Sequence, residues 1–226
     1  MVVADRMQRD VITIDRDASL RRARRVMENH RIRHLPVVED RRLVGILTDR
    51  DIRQAAPSAV SSLSSRERDE FMDYVRVGQV MTRRIISVSP GTSLAEAARL
   101  LLRYRIGCLP VVDDHYLVGI VTTSDLVGVL GQILGADGEE GRVEVDLPDE
   151  PASVVALLEI AGAHQARMMS LVNLPVGEGI AARALLRIQG DPAVLCAALG
   201  AAGFRVAFRP GEREMDGLIL EHLGRS

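Results

Sequence analysis

Leu35-Pro36-Val37-Val38 and Leu43-Val44-Gly45-Ile46-Leu47-Thr48-Asp49-Arg50-Asp51 return as Leu109-Pro110-Val111-Val112 and Leu117-Val118-Gly119-Ile120-Val121-Thr122-Thr123-Ser124-Asp125. From 35 to 109 the offset is 74 residues, and it holds without a gap on either side. Met7 falls on Met81, Ser19-Leu20 on Ser93-Leu94 and Arg31-Ile32 on Arg105-Ile106. Self-similarity at one fixed spacing marks a duplicated structural module.

Each copy reads β-α-β-β-α. In the first, a short strand over Val11 to Ile14 precedes a helix from about Leu20 to Asn29, with Leu20, Ala23, Val26 and Met27 in one apolar stripe and Ser19 placed to cap it. Two apolar runs, Leu35 to Val38 and Leu43 to Leu47, flank the polar turn Glu39 to Arg42 and predict a hairpin. A second helix starts near Asp49. One copy alone cannot cover both faces of its sheet, so the copies are expected to pair about a pseudo-twofold axis, burying the sheets against each other and leaving two equivalent clefts. The connector from Ala55 to Arg76 reads as a Ser-rich loop and a short helix whose Phe71 and Tyr74 dock on the module.

Gly-x-x-Thr-x-x-Asp occurs in both copies, where a strand end meets a helix start. Thr-x-x-Asp is by default a capping signature: the hydroxyl satisfies a free backbone N–H and the carboxylate suits the helix dipole. The same geometry suits a ligand, because free N–H groups beside a hydroxyl attract phosphate. Asp51 would repel that phosphate, but a ribose diol can donate to a carboxylate. Thr48 with Asp51, and Thr122 with Asp125, thus describe a nucleotide gripped by phosphate and sugar, its base in the apolar gap between copies.

In these motifs the chain resembles a CBS tandem, or Bateman module, from residue 3 to about 132. The resemblance implies a regulatory, non-catalytic module whose effector is an adenosine derivative: AMP, ADP or ATP, in some members S-adenosylmethionine or NAD, with no cofactor required. It also implies that residues just before Leu-Pro-Val-Val supply cations to phosphate. Those are Arg33 and His34 in the first copy, against Gly107 and Cys108 in the second. A charge-assisted bond is worth ~1.5–3 kcal/mol net, so the second cleft is expected to bind a phosphorylated ligand more weakly, on the order of 10²-fold or more, to take a less charged ligand or to stay empty. The plainer alternatives stay open: Arg33 and His34 as a solvated loop pair, Cys108 as a small buried apolar residue, and Arg21, Arg22, Arg24 and Arg25 as a solvent or dimer face. The last is preferred to nucleic-acid binding, since no recognition helix or stacking platform accompanies these arginines.

From Arg142 the pattern changes to an alternating strand, a helix from about Ala152 to Ala163, strands over Arg167 to Val176 and Ala181 to Gln189, a helix opened by Asp191-Pro192, and a strand over Arg205 to Phe208. That β-α-β-β-α-β order is ferredoxin-like. Strand, Asp149-Glu150-Pro151 and helix resemble an ACT domain, which implies an amino-acid ligand turn at Asp149, Pro151 and Ala152. The family's usual Gly after that Pro is Ala152 here, which equally suits a structural or dimerising role. With both resemblances in the order CBS-CBS-ACT, the chain resembles AcuB-type acetoin-utilisation proteins, a resemblance that implies a regulatory role in carbon metabolism.

The expected fold class is therefore α+β: a first repeat over 1–60, a connector over 61–76, a second repeat over 77–132, a linker over 133–141, the ACT-like domain over 142–210 and a tail over 211–226, with a further helix considered at Met215 to Leu223. All 29 cationic side chains are Arg, which excludes lysine Schiff-base chemistry and a Walker-type loop. His30, His34, His115, His164 and His222 are scattered without metal spacing or a nucleophile motif, so an enzyme is not expected. Cys108 and Cys196, the two cysteines, form no disulfide framework and suit a reducing cytoplasm. The first residues turn charged too soon for a signal peptide, and no apolar run nears roughly 18 residues, so neither export nor a membrane is expected. A homodimer acting on another protein is the expected assembly.

Overall fold

The repeated hairpin forms as read: β2 (His34–Glu39) pairs antiparallel with β3 (Arg42–Thr48), and β4 (Cys108–Asp113) with β5 (Tyr116–Thr122). Its details repeat at the same offset. Asp40 and Arg41 both take positive φ, as do Asp114 and His115, giving each hairpin a two-residue turn whose twist matches its strands. Both first strands also carry a register shift, between Val37 and Val38 and between Val111 and Val112. The computed structural model describes residues 1–56, 64–134, 141–148, 150, 152–174 and 182–209. The chain divides into two units, Met1–Val127 and Gly128–Ser226.

In the first unit α1 (Leu20–His30) and α5 (Leu94–Tyr104) occupy equivalent places. Ser19 accepts from the Arg22 N–H at 3.2 Å and Ser93 from the Glu96 N–H at 3.1 Å, and each helix ends on a left-handed arginine, Arg31 or Arg105. Leu20, Ala23 and Met27 bury their stripe against Leu35, Val37 and Leu47. The leading strand is later and shorter than expected. It is β1 (Ile14–Asp15), parallel to β2, and in the second copy it shrinks to a single bridge between Val88 and Val111.

The cause is that the residues ahead of it serve the other copy. Gln8 bridges Ile120, and Thr82 bridges Ile46, each with two backbone hydrogen bonds of 2.9–3.0 Å. The hairpins also join at their tips, Arg42 opposite Tyr116, giving a five-stranded sheet in the order β1-β2-β3-β5-β4. The copies therefore meet through strand edges and exchanged leading segments, where the sequence suggested face-to-face burial.

The connector's helix is α3 (Ser65–Tyr74), capped by Ser64, while residues 57–63 lie outside the described set. Phe71 and Tyr74 do not anchor it: they are 40% and 82% exposed, whereas Met72 is 2% exposed within the core of the first copy. Helical spacing turns Met72 inward and Tyr74 outward, and Arg21 holds the outer face at 2.8 Å from Asp73 and 3.5 Å from Asp69. A short helix, α4 (Val77–Val80), leads into the second copy, while α2 (Asp49–Ala55) and α6 (Thr123–Leu134) close the two copies.

The second unit contains β6 (Gly141–Leu147), α7 (Ala152–Ala163), β7 (Arg167–Leu174), β8 (Ala182–Gln189), α8 (Pro192–Ala201) and β9 (Arg205–Arg209). Strand order is β7-β8-β6-β9 with every neighbouring pair antiparallel, the split β-α-β arrangement read from the sequence. Alternate residues Val143, Val145, Leu147, Ala184, Leu186 and Ile188 pack with Leu157, Leu195 and Leu199 of the helices. Asp191 caps α8 through the Ala193 N–H at 2.8 Å. Asp149, Pro151 and residues 210–226, including the helix considered at Met215 to Leu223, lie outside the described set. Ala152 opens α7, and the neighbouring Ser153, 6% exposed, turns its hydroxyl onto the carbonyls of Pro148 and Glu150.

Candidate functional site

Strand β3 delivers Thr48 to the mouth of α2, and β5 delivers Thr122 to the mouth of α6. At the first mouth the Thr48 hydroxyl donates to Asp51 Oδ2 at 2.7 Å and accepts from the Asp51 N–H at 3.2 Å, while the Thr48 N–H donates to the same carboxylate at 2.8 Å. Thr122 and Asp125 repeat this at 2.7, 3.3 and 2.7 Å. Both motifs therefore close capping boxes on themselves. A ligand taking a hydrogen bond from either hydroxyl must first draw it off the carboxylate, which releases that carboxylate for a donor of the ligand.

Beside each mouth lies a cleft. The first, about 410 Å³, is lined by Arg33, His34 and Thr48 together with Thr82, Arg84, Ile85 and Ile86, which arrive from the second copy's leading segment. The second, about 570 Å³, is lined by Thr122 and Asp125 with Gln8, Asp10, Val11 and Ile12 from the first copy's leading segment. Both sizes suit a small-molecule ligand. The exchange of leading segments is thus what builds each cleft from both copies. Asp51 is not on the wall of the first cleft. It stands behind Thr48, near enough to His34 for its charge to act on the imidazole.

Charge separates the clefts. Arg33, Arg50, Arg53, Arg84 and Arg105 line the first against one carboxylate, Asp49, which Arg53 already holds at 3.0 Å. In the second, Arg31 and Arg33 meet Asp10 and Asp125. The difference follows the 74-residue offset: Arg84 stands where the first copy has Asp10, and Arg50 where the second has Ser124. Sequence reasoning brought Arg33 and His34 to this place and missed Arg50, Arg53, Arg84 and Arg105. The signal was present in the unmatched residues of the repeat, but which leading segment serves which cleft is a matter of tertiary exchange.

Burial, with the adjacent Arg33 charge, pushes the His34 imidazole below its ordinary value, and Asp51 pulls it partly back. Cys108 is buried at the start of β4, its thiol pushed up to about 12 by desolvation, so it lines the first cleft as an apolar surface and not as a nucleophile.

Two equivalent hairpins, two capped helix mouths and two clefts built by exchange coincide with two matches to one family, the CBS domain, over residues 3–58 and 77–132. The chain belongs to the CBS-domain family. Its CBS pair is 35% identical over 124 residues to the CBS domain-containing protein YhcV of Bacillus subtilis, a match that covers 55% of this chain and 81% of that one. The inosine-5'-monophosphate dehydrogenase of Korarchaeum cryptofilum is 34% identical over 182 residues, 75% of this chain. The chain spans only 35% of that enzyme's length. Among solved structures, a Vibrio cholerae protein whose assignment to acetoin utilization (AcuB) is itself an inference is similar at a TM-score of 0.51 and 34% identity, over 60% of this chain and 93% of that one. Among the described residues no helix is long and apolar enough to cross a membrane.

Proposed function

We propose that the CBS pair is a non-catalytic sensor of adenine nucleotides, and that the Thr48 cleft takes the phosphorylated ligand. The carrying observation is that Arg33, Arg50, Arg53, Arg84 and Arg105 all line this cleft, while Asp49, already paired with Arg53, is the one carboxylate among its lining residues. Such a lining favours a polyanion and disfavours a cation. Ile46, Ile85, Ile86, Ile106 and Pro110 provide the apolar surface for a base. On entry, Thr48 turns its hydroxyl from Asp51 to a phosphate oxygen, and Asp51, freed of that donor, turns from behind Thr48 into the cleft to accept from the ribose diol. The Thr122 cleft, where Asp10 and Asp125 offset Arg31 and Arg33, takes a less charged nucleoside. AMP, ADP or ATP are the first candidates for the effector, with S-adenosylmethionine or NAD as further adenosine derivatives.

Isothermal titration with adenosine, AMP, ADP and ATP tests this. Affinity is expected to rise with phosphate number and to fall on the order of tenfold or more in Arg84→Ala, consistent with one charge-assisted contact. Equal affinity for adenosine and ATP, or no adenylate binding, overturns it.

A second reading, favoured by the split β-α-β order of the second unit, is an ACT-like domain that binds an amino acid at the turn Asp149, Pro151 and Ala152 or dimerises the chain. A homodimer in the cytoplasm, acting on a separate target protein in carbon metabolism, fits either reading. Thermal-shift screening separates them: stabilisation by amino acids without adenylates favours the second.

A further inference from the structure

His34 belongs to both clefts. Arg33, His34 and Gly107 line the Thr48 cleft and equally the Thr122 cleft, so these residues are a wall common to both. The wall is asymmetric by necessity. The repeat offset makes Gly107 the counterpart of Arg33 and Cys108 the counterpart of His34, and the imidazole fills the space that a side chain at 107 would claim. A Cβ placed on Gly107 would lie 2.6 Å from His34 Nε2 and 2.8 Å from Cε1. Glycine at the place of the first copy's arginine therefore does more than withhold a charge: it makes room for the His34 ring between the clefts.

We propose that His34 couples the two clefts, so that filling one changes the affinity of the other. The inference rests on the nucleotide reading above and adds to it. In the first cleft the imidazole is a partner for phosphate, and in the second it is wall. A ring drawn to a phosphate leaves its seat on Gly107 and alters the Thr122 cleft. A ligand seated there fixes the ring and alters what it offers to phosphate. Such coupling is reciprocal, because it is a free energy shared by two binding events.

The test measures ADP affinity by isothermal titration with and without saturating adenosine, in the wild-type chain, His34→Ala and Asp125→Ala. Expected is a change of about fivefold or more in the wild type, lost in His34→Ala and also in Asp125→Ala, where the Thr122 cleft no longer holds adenosine. An ADP affinity indifferent to adenosine in the wild type overturns the coupling. So does a change that survives in His34→Ala, or one that survives in Asp125→Ala, which marks plain competition in the Thr48 cleft. A wild-type chain that binds no ADP overturns the nucleotide reading itself, and this inference with it.

Discussion

Gly45 is pressed against Met81: a Cβ built on it would stand 2.3 Å from the methionine sulfur. The pair recurs with the copies exchanged, Gly119 against Met7 at 2.6 Å, with the Gln8 carbonyl 3.2 Å away. Residue i of one copy touching residue j of the other, and j touching i, is the signature of a twofold relation, here within one chain. These glycines let the leading segments lie flat on β3 and β5, which is what closes the clefts.

Gly45→Ala is accordingly expected to cost about 1–3 kcal/mol, the range for overpacking a filled core. Urea denaturation reads this directly. In a Met81→Ala background the added methyl finds space, so the cost of Gly45→Ala shrinks sharply. Additive costs in the double variant would break the assigned contact.

Thr48→Ala removes a cap that Thr48→Ser keeps. The alanine variant is expected to lose about 0.5–2 kcal/mol, while serine keeps both stability and ADP affinity, since only the hydroxyl accepts from the Asp51 N–H. An alanine variant as stable as the wild type would show that the box contributes nothing.

Much of this architecture was legible because repeats and hairpins are local. The apolar runs placed a hairpin turn within Glu39 to Arg42, and the local motifs gave the cap at Ser19 and the hydroxyl–carboxylate pairs. What stayed hidden needed three dimensions. The bridges of Gln8 to Ile120 and Thr82 to Ile46 join residues more than a repeat apart or in different copies, and no local pattern announces them. Hence Arg84, a cleft residue, read as an unremarked repeat position. Phe71 and Tyr74 misled for the opposite reason. Aromatic content suggested burial, but the helix register had already assigned the inward position to Met72.

That register gives a further prediction. Met72→Ala is expected to cost about 2–5 kcal/mol, as for a fully buried large side chain, and Tyr74→Ser within about 0.5 kcal/mol of nothing. Thermal or urea unfolding of the two variants decides it. A larger loss from Tyr74→Ser than from Met72→Ala would mean that α3 docks by its other face.

The cysteines should label in a set order. Burial pushes the Cys108 thiol up to about 12, while Cys196, partly exposed, is raised by burial and by Asp191. In the native state at mild pH a maleimide is expected to modify Cys196 first, and Cys108 only after denaturation. Peptide mapping by mass spectrometry identifies the site. Rapid native labelling of Cys108 would place its thiol in solvent.

His34 makes stability depend on pH in a definite direction. Burial and Arg33 lower its pKa on folding, with Asp51 opposing them, so near neutrality the native and unfolded states both hold the ring neutral and its contribution is intact. As pH falls through the unfolded value, about 6.5, the unfolded chain binds a proton that the native chain still refuses. Stability from this group is therefore lost on the acid side, levelling off below the native pKa. His34→Gln cannot titrate, so between about pH 7.5 and about pH 5.5 its urea midpoint is expected to fall less than that of the wild type. Equal falls would mean that the imidazole takes up its proton as readily in the native wall as in the open chain.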